Sequence, residues 1–171
     1  MHRYIAAPWR EPYVRKTEKA EGCIFCLAGK TKVDADSLVL HRGRRSFVIL
    51  NRYPYTPGHL MIAPFRHLDD LDKAGAELAG ELMALIRLSL RVLKTAYKPQ
   101  GFNIGMNLGR SAGAGVADHF HIHIVPRWTG DANFMPLVGR TKIMLEDLDT
   151  TCRRLRPLFT KSRAAAARKE R

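Results

Sequence analysis

Cysteine is scarce: Cys23, Cys26 and Cys152 are the only three in 171 residues. Three thiols do not make a disulfide framework, so a reducing cytoplasm is the expected compartment. No run of about 18 apolar residues occurs, which excludes a membrane-spanning helix. The opening "MHRYIAAPWREPYV" lacks an apolar core followed by a cleavage site, and no secretory signal is expected. No internal repeat is found. Acidic residues are outnumbered, 16 against 29 basic ones, for a net charge of +13. Such an excess can serve nucleic acid or phosphate-bearing substrates. Its distribution argues against the first: residues 161–171 carry five basic and one acidic side chain, and residues 1–20 carry five and two. Much of the surplus therefore sits in expected solvated ends, and no basic surface interleaved with aromatics accompanies it.

What is present reads as one domain, long enough to bury a core without staples. Residues 1–22 read as an extended arm, 23–159 as the folded domain and 160–171 as a basic tail. "SLVLHR" (37–42), "SFVILN" (46–51) and "HLMIAPF" (59–65) have strand character, with "GRR" suggesting a hairpin between the first two and "NRYPYTPGH" a loop. Residues 74–97 form the clearest helix. Glu77, Glu81, Arg87, Arg91, Lys94 and Lys98 keep to one stripe, and Leu78, Leu82, Leu85, Ile86, Val92 and Leu93 supply an apolar face for a sheet. Pro99 and Gly101 should stop it. Residues 101–109 and 119–127 read as further strands and 141–159 as a second helix carrying Cys152. The fold class is α+β, a mostly antiparallel sheet of about five strands with one long and one C-terminal helix.

The chemistry concentrates in "DHFHIHIVPRW" (118–128), which holds three of the seven histidines at alternate positions. On a strand, His119, His121 and His123 share one face, while Phe120, Ile122 and Ile124 turn to the other and pack beneath the helix. A row of imidazoles can hold polyanions, bind a metal or present an unprotonated nitrogen as nucleophile. The preceding loop, with Ser111, Ala112, Gly113, Ala114 and Gly115, has the small residues that let backbone N–H groups approach a phosphate.

"HFHIHIV" resembles the signature of the histidine triad (HIT) superfamily, and "PGHLMIAP" and "VPRW" resemble its usual neighbours. The similarity runs from about Cys23 to Leu158. The "NRYPYTPGH" spacing and "VPRW-GDANF" look most like the Fhit-like branch, especially bacterial diadenosine tetraphosphate hydrolases and phosphorylases. The resemblance implies a HIT-like fold and a nucleotide hydrolase or transferase that cleaves dinucleoside polyphosphates, or adenylylated compounds, at the α-phosphate through a nucleotidyl-histidine. His121 matches the nucleophile. His123 would contact the α-phosphate, together with N–H groups around Ala114 and Gly115, with Gly113 beside them. Asn51 matches the ribose-binding asparagine, His59 a buried supporting histidine, and Asn107 a polar position near the ribose or phosphate. The Gln-Ser or Gln-Thr pair that many members carry before the triad is replaced by "AGAGVAD".

Cys23 and Cys26 have CxxC spacing, which by itself fits zinc, redox chemistry or chance. The resemblance implies that His67 and His119 complete a structural Cys2His2 zinc site. His2 and His41 read as surface residues. A homodimer is implied, since the family usually pairs across its helix and sheet edge; a membrane partner is not. Two alternatives stay open: a Hint-like phosphoramidate hydrolase, and a nucleotide-sensing nucleic-acid-binding or adaptor protein using the basic tails.

Overall fold

The computed structural model describes residues 22–34, 37–131 and 146–169, with side chains up to 162. The expected N-terminal arm up to residue 21 (with His2), "DANF" beyond Asp131 and the 141–145 start of the second expected helix lie outside the described residues.

The hairpin signal around "GRR" is realised. Strands β1 (Val39–Arg42) and β2 (Ser46–Leu50) pair antiparallel, with a register shift between Val39 and His41. Strand β3 (Leu60–Pro64) follows β2 in register from Ser46↔Pro64 to Leu50↔Leu60, and the Asn51 N–H donates to the His59 carbonyl at 3.0 Å to close the loop between them. The chain then crosses through helix α2 (Ala76–Tyr97) to β4 (Gly101–Gly105) and returns as β5 (Ile122–Arg127). All pairings are antiparallel and the sheet order is β1-β2-β3-β5-β4. A helix α1 (Ile24–Lys30) precedes β1, and α3 (Leu148–Lys169) closes the described chain. This is the α+β architecture the sequence implies. No described helix is long and apolar enough to cross a membrane.

Both faces of the sheet are covered, which explains why β2 and β3 read as continuous apolar runs rather than as alternation. On one face Val48, Leu50, Leu60, Ile62, Phe120, Ile122 and Ile124 pack with α2 and α3. The other face packs Val39, Phe47, Ile49, Met61 and Ala63 under Phe25 of α1. Leu78, Leu82, Leu85, Val92 and Leu93 are buried as their spacing predicts, joined by Leu88 and Ser89; Ile86 is half-buried. Glu81 leaves the polar stripe for a specific task. Its carboxylate accepts from the Arg44, Arg45 and Ser46 N–H groups and from the Ser46 hydroxyl, clamping the β1–β2 turn onto α2.

Several boundaries differ from the sequence reading: β1 starts at Val39 rather than 37, α2 at Ala76 rather than 74, and β4 stops at Gly105 rather than 109. Helix α2 ends at Tyr97 as its stop signals predict, capped by Lys98 at φ 47°, since the residue before a proline is disfavoured in the α region. Helix α3 starts where the Asp147 carboxylate accepts the Thr150 N–H at 2.7 Å, and it runs to Lys169, through the expected tail. Strand β5 begins at Ile122 rather than at residue 119, because Ile62↔Ile122 is the last pair it makes with β3. Upstream of that pair, Phe120 donates its N–H to the Leu68 carbonyl.

Candidate active site

The alternation survives although His119 and His121 precede the ladder. Phe120, Ile122 and Ile124 face the α2 core, and the three imidazoles face the opposite way. Side-chain hydrogen bonds, not strand pairing, hold the first two rings. His121 is 5 % exposed and its Nδ1 lies 3.0 Å from the His119 carbonyl. A carbonyl can only accept, so Nδ1 carries the proton and Nε2 keeps its lone pair. Burial pushes the His121 pKa down, and the hydrogen bond to His119 pulls partly the other way; the net shift is downward. The ring is therefore neutral and nucleophilic at neutral pH. Phe25 covers it at 4.5 Å between ring centroids, and His123 meets it edge-on at 4.8 Å.

A second chain of bonds fixes His123. The Tyr55 N–H donates to His59 Nδ1 at 3.1 Å, which places the His59 proton on Nε2. That nitrogen lies 3.0 Å from His123 Nδ1 and donates to it, so the His123 proton sits on Nε2. The result is two neighbouring rings of opposite polarity: an unprotonated nitrogen on His121 and an N–H donor on His123. This pairing suits attack on a phosphorus with stabilisation of the charge that develops on its oxygens. His59 is completely buried, and the Asn51 amide nitrogen lies 3.4 Å from its Nδ1 while Asn51 Oδ1 accepts the Tyr53 N–H.

The remaining expected residues are less tightly gathered. Asn107 is half-buried beyond β4, and no hydrogen bond among the described residues ties it to the histidines. The loop forms a 3-10 turn over Arg110–Ala112 with Gly113 at φ 82°. Its Gly113 and Ala114 N–H groups point at the Arg110 and Gly109 carbonyls, so both are engaged within the loop. Gly115 is exposed. His41, expected at the surface, is half-buried and stacks on Phe159. Two contributors escaped the sequence reading. Phe25 sits between the cysteines of the CxxC motif, and the Tyr55 amide belongs to a loop whose proline and glycine content says only that it turns.

Cys23, Cys26, His67 and His119 converge, with their four ligand atoms all within 4.8 Å of one another. Cys23 Sγ lies 3.3 Å from His119 Nδ1, Cys26 Sγ 3.4 Å from His67 Nδ1 and 3.6 Å from His119 Nδ1. Tetrahedral coordination by two thiolates and two imidazoles, with bonds of about 2.3 and 2.05 Å, requires edges of roughly 3.4–3.8 Å. The His119 ring is prepared for it: Nε2 donates to the Pro64 carbonyl at 3.0 Å, which leaves the Nδ1 lone pair facing the sulfurs. These residues could hold a metal ion.

The model of the HIT domain family matches residues 32–130. This chain belongs to the HIT family. A protein named AP-4-A phosphorylase from Mycobacterium tuberculosis is 45% identical to this HIT protein over 122 residues, covering 71% of the chain. The chain spans 63% of that relative's length. Among solved structures, a zinc-bound histidine triad family protein from Mycobacterium smegmatis matches with a TM-score of 0.65 at 25% identity, covering 86% of this chain and 99% of that one. A hypothetical histidine triad nucleotide-binding protein from Sulfolobus tokodaii matches at 0.64 and 27%, covering 81% and 93%.

Proposed function

We propose that this protein cleaves dinucleoside polyphosphates, diadenosine tetraphosphate among them, at the α-phosphate through a nucleotidyl intermediate on His121. One observation carries the reading: the His119 carbonyl fixes the His121 proton on Nδ1, so the opposite nitrogen keeps an electron pair for attack. In the first step Nε2 forms a bond to the α-phosphorus, and the bond to the bridging oxygen breaks, with its electron pair leaving on the polyphosphate. His123 donates a hydrogen bond to the α-phosphate oxygens. In the second step an oxygen nucleophile attacks the same phosphorus and the P–N pair returns to Nε2. Asn51 binds the ribose, Asn107 lies near it, and the Gly113–Gly115 segment borders the phosphates.

The similarity to the mycobacterial phosphorylase favours inorganic phosphate as the second nucleophile. Incubating the protein with diadenosine tetraphosphate, with and without phosphate, decides the point. ADP plus ATP marks phosphorolysis and AMP plus ATP marks hydrolysis. Two ADP would contradict attack at the α-phosphorus. His121→Asn should abolish turnover while nucleotide binding stays measurable, and retained turnover would remove His121 from this role.

Zinc is the ion that the Cys2His2 donor set fits best, held by Cys23, Cys26, His67 and His119 as a structural centre. Thiols that serve this way must stay reduced, which agrees with a cytoplasmic setting. The edge strand β4 leaves Ile104 45 % exposed, and a second copy of the chain covering that edge would give the homodimer.

A further inference from the structure

We propose that metal occupancy and nucleotide occupancy are thermodynamically linked in this protein, each tightening the other, with His119 and helix α1 as the coupling element. The inference rests on the reading above, in which the nucleotide phosphate meets His121.

His119 makes three engagements at once. Its Nδ1 faces the cysteine sulfurs, its Nε2 donates to Pro64, and its backbone carbonyl receives the His121 Nδ1 proton. The orientation of the nucleophile is thus set by the backbone of a metal-ligand residue. A second connection runs in parallel. Helix α1 has only seven residues; Cys23 is its N-cap and Cys26 lies in its first turn. Between them Phe25 lays its ring on His121 at 4.5 Å and on His119 at 5.3 Å. So short a helix gains little from its own hydrogen bonds, and it depends on what anchors it. Two thiolates bound to a metal fix both ends of the segment that carries Phe25. A nucleotide that finds both rings already immobilised loses less entropy on binding, and by reciprocity it holds the metal more firmly.

The metal cluster has an opening of its own. Cys26 and His67 open onto a cavity of about 480 Å³ lined further by Gly29, Lys30, Arg42 and Phe65. None of His121, His123 or Asn51 lines it, so this side of the cluster opens away from the residues proposed to hold the nucleotide. Obstruction changes rates of metal loss but not equilibrium affinities, so the linkage is read from the latter.

The experiment uses the zinc-loaded full chain and AMP, which can bind without being cleaved. The equilibrium transfer of zinc to a chromogenic chelator of known affinity is measured with and without saturating AMP, with free zinc plus AMP as the baseline. AMP binding to the same preparation is measured by calorimetry. The transfer should report a zinc dissociation constant at least about five-fold lower when AMP is bound. In Phe25→Leu, AMP and zinc should still bind, with a smaller tightening because only the His119 connection remains; an undiminished tightening would remove helix α1 from the coupling. AMP bound with unchanged transfer overturns the linkage and leaves the proposed reaction standing. Failure to bind AMP at all overturns both, and failure to bind zinc overturns the linkage alone. Because the loaded protein is the one measured, collapse of the metal-free chain does not obscure the result.

Discussion

Replacing His59 by leucine tests the chain of bonds that gives His123 its donor. The side chain is completely buried, with Tyr55 N–H donating to one nitrogen and His123 Nδ1 accepting from the other. Leucine fills a similar volume and removes both bonds. Each lost part-buried bond costs about 0.5–1.5 kcal/mol, so the variant should lose roughly 1–3 kcal/mol of stability. It should also lose control of the His123 tautomer. When Nδ1 takes the proton, Nε2 becomes an acceptor facing phosphate oxygens, and removal of one such oxyanion donor lowers kcat about 10²–10³-fold. Glutamine separates the two effects, because its carbonyl can accept from Tyr55 and its amide can donate to His123. His59→Gln should therefore recover much of kcat. Turnover of diadenosine tetraphosphate is followed by nucleotide chromatography, and folding by urea titration in the same buffer. A folded His59→Leu protein with wild-type kcat would refute the relay.

The pH dependence follows from His121, whose pKa burial holds below 6.5. The neutral ring predominates above that shifted value, so kcat/KM should be flat at neutral pH and fall only below about 6.5; an acidic limb centred above 6.5 would contradict the assignment. Glu81→Ala strands the Ser46 hydroxyl and amide, which are screened from water, and should cost about 2–4 kcal/mol in urea titration at pH 7. Burial raises the Glu81 pKa, but the bonds from Ser46, Arg45 and Arg44 outweigh it and bring it below 4.5. The stabilisation is thus present above 4.5 and lost as pH falls through the folded value, so the Glu81→Gln deficit should shrink in acid; a deficit independent of pH would argue against the clamp. Gly58 has φ 76°, and an added Cβ would meet Tyr97 Cε2 at 2.9 Å and Leu93 Cδ2 at 3.0 Å. Gly58→Ala should cost about 1–3 kcal/mol, read as a lower midpoint in urea, and an unchanged midpoint would show that the loop yields.

Much of the frame was legible because its signals are local. Alternation put Phe120, Ile122 and Ile124 under the helix, and three- and four-residue spacing selected Leu78, Leu82 and Leu85. The convergence of Cys23, Cys26, His67 and His119 was legible only through resemblance, since CxxC spacing says nothing of its distant partners. Other features leave no trace in the pattern. Nothing in "CIFC" distinguishes a helix that lays Phe25 on His121 from a simple knuckle. Glu81 carries the same periodicity as Glu77, yet it alone reaches the Ser46 hydroxyl and amide. The tautomers of His59, His121 and His123 depend on which atoms lie about 3 Å away, and no spacing rule encodes that.

The short contact between β3 and β5 has a consequence for how the molecule breathes. Only Leu60, Met61 and Ile62 of β3 are matched with β5, and the chain ahead of Ile122 has no rung beneath it. Amide deuteration should therefore reach residues 119 and 121 well before 123–125, with the sheet still intact. His121 thus takes its place from its own bond to the His119 carbonyl and from the Phe120 amide on Leu68, so its surroundings can vary without any change to the scaffold that carries it.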